Sequence, residues 1–314
     1  MIHTICLNPA IDQTVGLAEL VPGEVLRADF VRLDPGGKAV NVASVLADWG
    51  LPVTVHGLLG ADNADGFEAL FTRKGIADAM IRMPGATRTN IKILETGGRT
   101  TDVNLPGFAA DAAAADAVRA GLNAVTGLAV VSGSQPAGLP ADTTARIVAD
   151  LAGQGARVVL DVSGAPLTEA LSAPVLPYAV KPNRHELEAF AGRSLADRAE
   201  LVAVARDLLA RGIGLVVVSL GTEGAVFLSA EGGVQVRPLA LATGSTVGAG
   251  DAMVAGITAG LSEGLPLADL ARRATAFAAG KLRNAGPHLP PKAEVEALAQ
   301  QVALCPVEAW MAGH

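Results

Sequence analysis

The sequence predicts an α/β protein built on a parallel sheet with helices on both faces. Three observations predict it. Short apolar, β-branched runs alternate with longer helical patterns along 314 residues. The strand-like runs are apolar throughout, as strands buried on both faces must be. Hydrophobic residues make up 50% of the chain and charged residues 18%, enough for a full core and too apolar for disorder.

Taken in order, "VTVHGLL" at 53–59, "LAVVSG" at 128–133, "RVVLDV" at 157–162 and "GLVVVSL" at 214–220 read as buried strands. "KAVNVASVLADWG" at 38–50 reads as a helix ending at Gly50. So do "AELVAVARDLLARG" at 199–212, "DAMVAGITAGLSEG" at 251–264 and "LADLARRATAFAAGKL" at 267–282. The ligand crevice is expected at the carboxyl ends of the strands. Two segments break the rhythm. Residues 11–34 and 88–105 hold strand-like pieces such as "VLRADFVRL" and "TNIKILE", the second folding back through "TGGR". They predict a small sheet standing off a main body made of 1–10, 35–87 and 106–314. A lid, a dimer surface or a decorated sheet edge would each account for it.

The formal charge of −7 argues against a general binder of nucleic acid or anionic membranes. Any anionic ligand must therefore be held by local cations. No apolar stretch reaches membrane-spanning length, and "MIHTICLNPAID" has no signal-peptide pattern. Cys6 and Cys305 lie almost a chain length apart, and the histidines at 3, 56, 185, 288 and 314 show no metal spacing. Buried free thiols in a reducing, cytoplasmic setting are the expectation. Aromatic residues are only 3%, so alanine and valine must fill much of the core.

Four stretches carry candidate chemistry. In "STVGAGDAMVAGI" at 245–257, Gly248, Ala249 and Gly250 lead into Asp251 at a helix start. Bare N–H groups there offer an anion hole, and Asp251 could serve as base for a substrate hydroxyl. Simple capping is the plain alternative. The helix end is expected to lower the Asp251 pKa. In "DPGGKAVNVA" at 34–43, Lys38 in a first turn opposes the helix dipole, which makes sense if it meets an anion. A solvated lysine is the alternative, and Asn41 could face the same ligand. In "VKPNRHELEAFAG" at 180–192, Asn183 and Glu186 have the spacing of a capping box. Equally, the pair could order the water shell of Mg²⁺. "VVSLGTEGAVFL" at 217–228 is a hairpin whose Gly221 and Gly224 could line a nucleotide. "VVSGSQPAG" at 130–138 places Ser132 and Ser134 at a strand end. The P-loop pattern is absent, and Met253 breaks the dinucleotide fingerprint, which undercuts an oxidoreductase.

The order GGK…N, SGS-x-P, KPN-x-x-E, SLG-x-x-G and TVGAGD closely resembles the PfkB branch of the ribokinase-like sugar kinases, over about residues 1–285. The resemblance implies a ribokinase-like three-layer α/β/α sandwich, a mostly parallel central sheet and a small β-sheet lid. "CLNPAIDQTV" at 6–15, "TRTNIKI" at 87–93 and "RTTDVNLPGF" at 99–108 resemble the phosphosugar kinases of that branch, above all those acting on fructose 1-phosphate. It implies transfer of phosphoryl from ATP to give fructose 1,6-bisphosphate. Tagatose 6-phosphate or fructose 6-phosphate is the alternative substrate, and a non-catalytic sugar-phosphate regulator the remote one.

Carried over by residue, the resemblance makes Asp251 the base and Gly248, Ala249 and Gly250 the anion hole. Asp12, Gly37 and Asn41 would contact sugar hydroxyls. Lys38, Arg88 and Ser134 would surround the sugar's own phosphate, with Asn104 a lid contact. Lys181, Asn183, Ser219, Gly221, Gly224 and Gly250 would meet the nucleotide, and Asn183 with Glu186 would organise Mg²⁺ through water. A homodimer through the β lid is implied as well. One departure stands out: Ala39 replaces the last glycine of GGKG, and its methyl could narrow the sugar pocket.

Overall fold

The computed structural model describes residues 1–239, 248–283, 286 and 288–313. The chain enters along β1 (Ile2–Cys6), then forms β2 (Ala10–Leu17), β3 (Phe30–Gly36) and helix α1 (Lys38–Asp48). It continues through β4 (Val53–Gly60), α2 (Asp65–Lys74), β5 (Ala77–Met83), β6 (Arg88–Glu95) and β7 (Thr100–Asn104). A strand–helix alternation follows: α3 (Ala112–Gly121), β8 (Leu128–Ser132), α4 (Thr143–Gly153), β9 (Arg157–Asp161) and α5 (Ala165–Ser172). Next come β10 (Ala179–Val180), α6 (Arg184–Ala191), α7 (Arg198–Ala210) and β11 (Leu215–Ser219). The chain ends with β12 (Ala225–Ser229), β13 (Gly232–Val236), α8 (Ala249–Ser262), α9 (Leu267–Leu282), α10 (Lys292–Gln301), β14 (Leu304–Pro306) and α11 (Val307–Met311).

Ten strands form one sheet, ordered β14-β13-β12-β11-β10-β9-β8-β1-β4-β5. From β11 to β5 every neighbour is parallel, and β12 to β14 add an antiparallel edge. Successive side chains of a strand face opposite sides, and the core divides accordingly. Val130, Val159 and Val217 pack among α1, α2, α8, α9 and α10. Their neighbours Val131, Leu160 and Val218 pack among α3 to α7 and α11. That is the three-layer α/β/α sandwich of the ribokinase-like fold. Close helix contact compensates for the scarcity of aromatics. A β-carbon on Gly256 of α8 would stand 2.6 Å from the Cα of Ala274 in α9.

The second sheet has the order β3-β2-β6-β7. Its two hairpins, β2–β3 and β6–β7, are antiparallel, and β2 joins them by running parallel to β6. "TGGR" forms the expected turn, closed by Glu95 N–H on Arg99 C=O at 2.9 Å. The strand-like run at 25–33 pairs only from Phe30 onward. Gly16 opposite Phe30 is the last pair of that ladder, and beyond it Asp29 N–H still donates to Gly16 C=O at 2.8 Å.

Candidate active site

The parallel strands end along one crevice edge, facing the start of α1 and of α8. Helix α1 starts at Gly37, whose φ of 98° suits only glycine. A β-carbon there would stand 2.8 Å from the Cα of Pro9. Helix α8 starts at Gly248 with φ 79° and no side-chain cap. Ser245, Thr246 and Val247, which precede it, lie outside the described residues.

Asp251, in the first turn of α8, accepts a hydrogen bond from Asn41 Nδ2 at 2.8 Å. A β-carbon on Gly36 would stand 2.7 Å from Asp12 Oδ2 and 3.3 Å from Asn41 Oδ1, so Asp12, Asn41 and Asp251 form one continuous wall. Asp12 in turn accepts from Asn90 Nδ2 at 3.1 Å. The expectation that the helix end would lower the Asp251 pKa is overturned. Burial raises it to about 6, Asp161 adding to the rise, against the Asn41 hydrogen bond and the charges of Lys38 and Lys181. Desolvation disfavours the ionised form more than the helix end favours it.

Asp161 is the hub of the charges. It ends β9, is 2% exposed, and accepts from Ser132 Oγ at 3.1 Å. Lys181 Nζ is 3.0 Å from its Oδ1 and Lys38 Nζ 3.3 Å from its Oδ2. Burial alone would raise the Asp161 carboxyl, but the two ammoniums hold it below the ordinary range. Burial likewise pulls Lys38 down, yet Asp161, Asp251 and Glu186 together raise it. The anion that the lysine of α1's first turn meets is therefore, within the chain, a carboxylate.

A second cluster lies where β1 gives way to the small sheet. Asn8 Nδ2 donates to Ser134 Oγ at 3.0 Å. Arg88 Nε donates to Pro9 C=O at 3.3 Å, and Arg88 Nη2 reaches Asn8 C=O at 3.5 Å. Arg88 and Ser134 are thus brought together through Asn8. Gly133 packs against the Lys38 stem, a built β-carbon lying 3.6 Å from its Cβ. Asn104 pairs across the ladder from Asn90 and is exposed.

The nucleotide-loop candidates gather at the next strand ends. Ser219 pairs with Asn183 in an isolated parallel bridge, and its N–H donates to Pro182 C=O at 3.0 Å. Gly221 and Gly224 (φ 60° and 91°) bound a 3₁₀ turn closed by Leu220 N–H on Gly224 C=O at 2.7 Å. Asn183 and Glu186 do form the capping box: Glu186 N–H donates to Asn183 Oδ1 at 2.9 Å, and Asn183 N–H to Glu186 Oε2 at 2.8 Å. Glu186 Oε1 remains beyond the box. Capping and metal service are therefore compatible. No cluster of three acidic, His or Cys side chains able to grip an ion directly exists among the described residues. An ion here fits as Mg²⁺ does elsewhere, mostly on water and nucleotide phosphates with one carboxylate nearby.

The model of the pfkB family of carbohydrate kinases matches residues 5–293. The chain belongs to that family. It is 54% identical over 293 residues to a 1-phosphofructokinase of Xanthomonas campestris pv. campestris, covering 90% of this chain and 91% of that one. A 1-phosphofructokinase of Rhodobacter capsulatus is 48% identical over 306 residues, covering 96% of each. Among solved structures, Escherichia coli phosphofructokinase-2 in complex with substrates and products superposes with a TM-score of 0.89 at 27% identity, over 96% of this chain and 98% of that one.

Of the sequence-predicted residues, Lys38, Asn41, Lys181 and Asp251 gather around Asp161 at strand ends and the starts of α1 and α8, whereas Asp12, Arg88 and Asn104 belong to the small sheet. Sequence reasoning passed over Asp161, Asn8 and Asn90, which the structure sets among the candidate residues. An aspartate closing the apolar run "RVVLD" was the available signal for Asp161. Its two lysine partners are 20 and 123 residues away.

Proposed function

We propose that this kinase transfers the γ-phosphoryl group of ATP to the 6-hydroxyl of fructose 1-phosphate. The observation that carries the mechanism is Asp251. Its carboxyl is oriented by Asn41 and stands one residue beyond Gly248–Gly250. With a pKa of about 6 it is mostly ionised at neutral pH and still basic enough to take a proton. The sugar oxygen attacks phosphorus in line as the bond from phosphorus to the β–γ bridging oxygen breaks. The hydroxyl proton passes to Asp251, and ADP leaves with its electron pair. The amides of 248–250 face the charge that grows on the phosphoryl oxygens. Asp12 and Asn41 orient sugar hydroxyls. Arg88, Ser134 and Lys38 hold the phosphate already on the sugar, for which a guanidinium offers a two-pronged contact. The nucleotide lies along Lys181, Ser219, Gly221 and Gly224. Asn183 and Glu186 would hold Mg²⁺ through water, and the ion would supply charge neutralisation on the nucleotide phosphates.

The choice of sugar rests on the 54% and 48% identical relatives named 1-phosphofructokinase. ADP release measured with fructose 1-phosphate, fructose 6-phosphate, tagatose 6-phosphate and unphosphorylated fructose tests it. A preference for fructose 1-phosphate that Asp251→Asn abolishes is expected. Preference for a 6-phosphate would reassign the sugar and leave the base intact.

The four-stranded sheet acts as a lid that closes over the sugar and excludes water. It also pairs with its twin in a homodimer. Support comes from its surface: Val25, Phe30, Val31, Leu33, Val103 and Leu105, all in or beside this sheet, expose apolar side chains. Light scattering on Val31→Asp/Leu33→Asp should show a halved mass; an unchanged mass would refute the interface. Among the described residues no helix is long and apolar enough to cross a membrane.

A further inference from the structure

Lys281 lies in the last turn of α9 and points at the start of α8. A β-carbon built on Gly248 would stand 2.8 Å from its Cε and 3.3 Å from its Nζ. One built on Gly250 would stand 4.0 Å from Lys181 Nζ. The three amides of 248–250 are therefore bracketed by two ammoniums. Their company differs. Lys181 is matched by Asp161 at 3.0 Å, whereas Lys281 makes no hydrogen bond or ion pair with a described residue. The charges near it have both signs: Asp251 and Asp34 oppose Arg32 and Lys92. Burial pulls its pKa down, as it does for an ammonium with no counter-charge in contact. A lysine in a last turn ordinarily complements its own helix's carbonyl end. That explains its place in the chain but not its direction, because the stem crosses Gly248 of another helix.

We propose that Lys281 is a catalytic residue of the phosphoryl transfer, its ammonium meeting the oxygens of the transferring group above Gly248. This rests on the reading of Asp251 as base and of 248–250 as the anion hole. Charge in such a transition state is spread over three equatorial oxygens. An ammonium is a compact charge with three rotatable donors and suits a group that moves during reaction. Lys281 forms no bond and gives up no proton. Its charge is fixed in place before the nucleotide arrives, so no reorganisation is needed at the moment of transfer. A side chain at 248 would displace the end of the Lys281 side chain, besides being strained at a φ of 79°.

The test is Lys281→Met, with Lys281→Gln as a second variant that keeps a polar stem without charge. Both are assayed beside the wild type and Asp251→Asn, after thermal melting shows which variants fold. The expected result is a kcat about 10²-fold lower, the usual scale for losing one such donor. KM for fructose 1-phosphate stays within about threefold, and MgADP binds as before. Binding of the planar mimic MgADP–aluminium fluoride with fructose 1-phosphate weakens in parallel with kcat. A kcat within about threefold of wild type in whichever variant folds overturns the proposal. So does a loss that falls on KM for the sugar instead. Should Asp251→Asn turn over normally, the base reading fails and takes this assignment with it. A dead Asp251→Asn beside an active Lys281→Met removes the Lys281 assignment alone.

Discussion

Helices α1 and α8 both begin at a glycine with positive φ, and neither has a side-chain cap. Their first turns carry opposite charges: Lys38 on α1 and Asp251 on α8. By the helix dipole alone, the lysine is misplaced and the aspartate well placed. The structure inverts that ranking. Lys38 is stabilised as a cation because Asp161, Asp251 and Glu186 surround it. Asp251 is disfavoured as an anion because it is buried. The dipole is worth at most about 1 kcal/mol at an exposed end, and burial or a neighbouring charge outweighs it. A site for two phosphates needs both helix starts open, and their side-chain charges are set by neighbours.

The sharpest break in this comparison is Asp251→Asn. It keeps the shape and removes the base, and kcat should fall by at least about 10³-fold while ATP and sugar phosphate still bind by calorimetry. Near-normal turnover would end the assignment. Next in size is Asp161→Asn, which leaves two ammoniums without their shared counter-charge. Breaking such a buried network by one partner costs about 3 kcal/mol, read in denaturant melts; a loss below about 1 kcal/mol would show that water screens the cluster. Arg88→Ala and Lys38→Ala come third. Each should raise KM for fructose 1-phosphate by about 10 to 100-fold, the loss of a charge-assisted contact, with little change for ATP. Equal losses for both ligands would move Lys38 to the phosphoryl being transferred.

The last test reads stability against pH. The Asp251 carboxyl titrates near 6 in the fold and at 3.8 as an ordinary aspartate. A raised acid binds more protons folded than unfolded between those values, so stability falls as pH rises through the window. Asp251→Asn should therefore melt higher than wild type above pH 7 and alike below pH 4. In the wild type, kcat should drop as pH falls below about 6, because the base is then protonated.

Most of the fold was legible because its signals are local. The apolar runs at 53–59, 128–133 and 157–162 became β4, β8 and β9, and α9 spans the predicted 267–282. That the strand begins only at Phe30 was not legible, since its pairing with β2 stops at Gly16 although β2 itself runs on to Leu17 beside β6. In the candidate site, Lys38 and Asp251 stood out at glycine-rich helix starts. Asp161 and Lys281 did not. An aspartate at a strand end gains meaning only once the order β8-β9-β10 puts Ser132 and Lys181 beside it. Lys281 looks like any lysine finishing a helix until α9 is packed on α8. Asn183 and Glu186 bear out the capping reading, and the box leaves only Glu186 Oε1 outside it, because the single side-chain oxygen of Asn183 is committed to the Glu186 amide.

The parallel pairing of β2 with β6 fuses the two hairpins into one plate. A plate has few places to bend, and here these are its junctions with the body: residues 7–10, 36–37, 84–88 and 104–107. Gly37, Arg88 and Asn104 lie at those junctions. A sugar phosphate held by them would sit on the fulcrum, not under the tip. From Arg88 to Glu95 the lever arm is about 25 Å of strand. In the lid role proposed above, a small rotation at Arg88 would sweep the far turn through a much longer arc, coupling recognition of one phosphate to enclosure of the whole substrate.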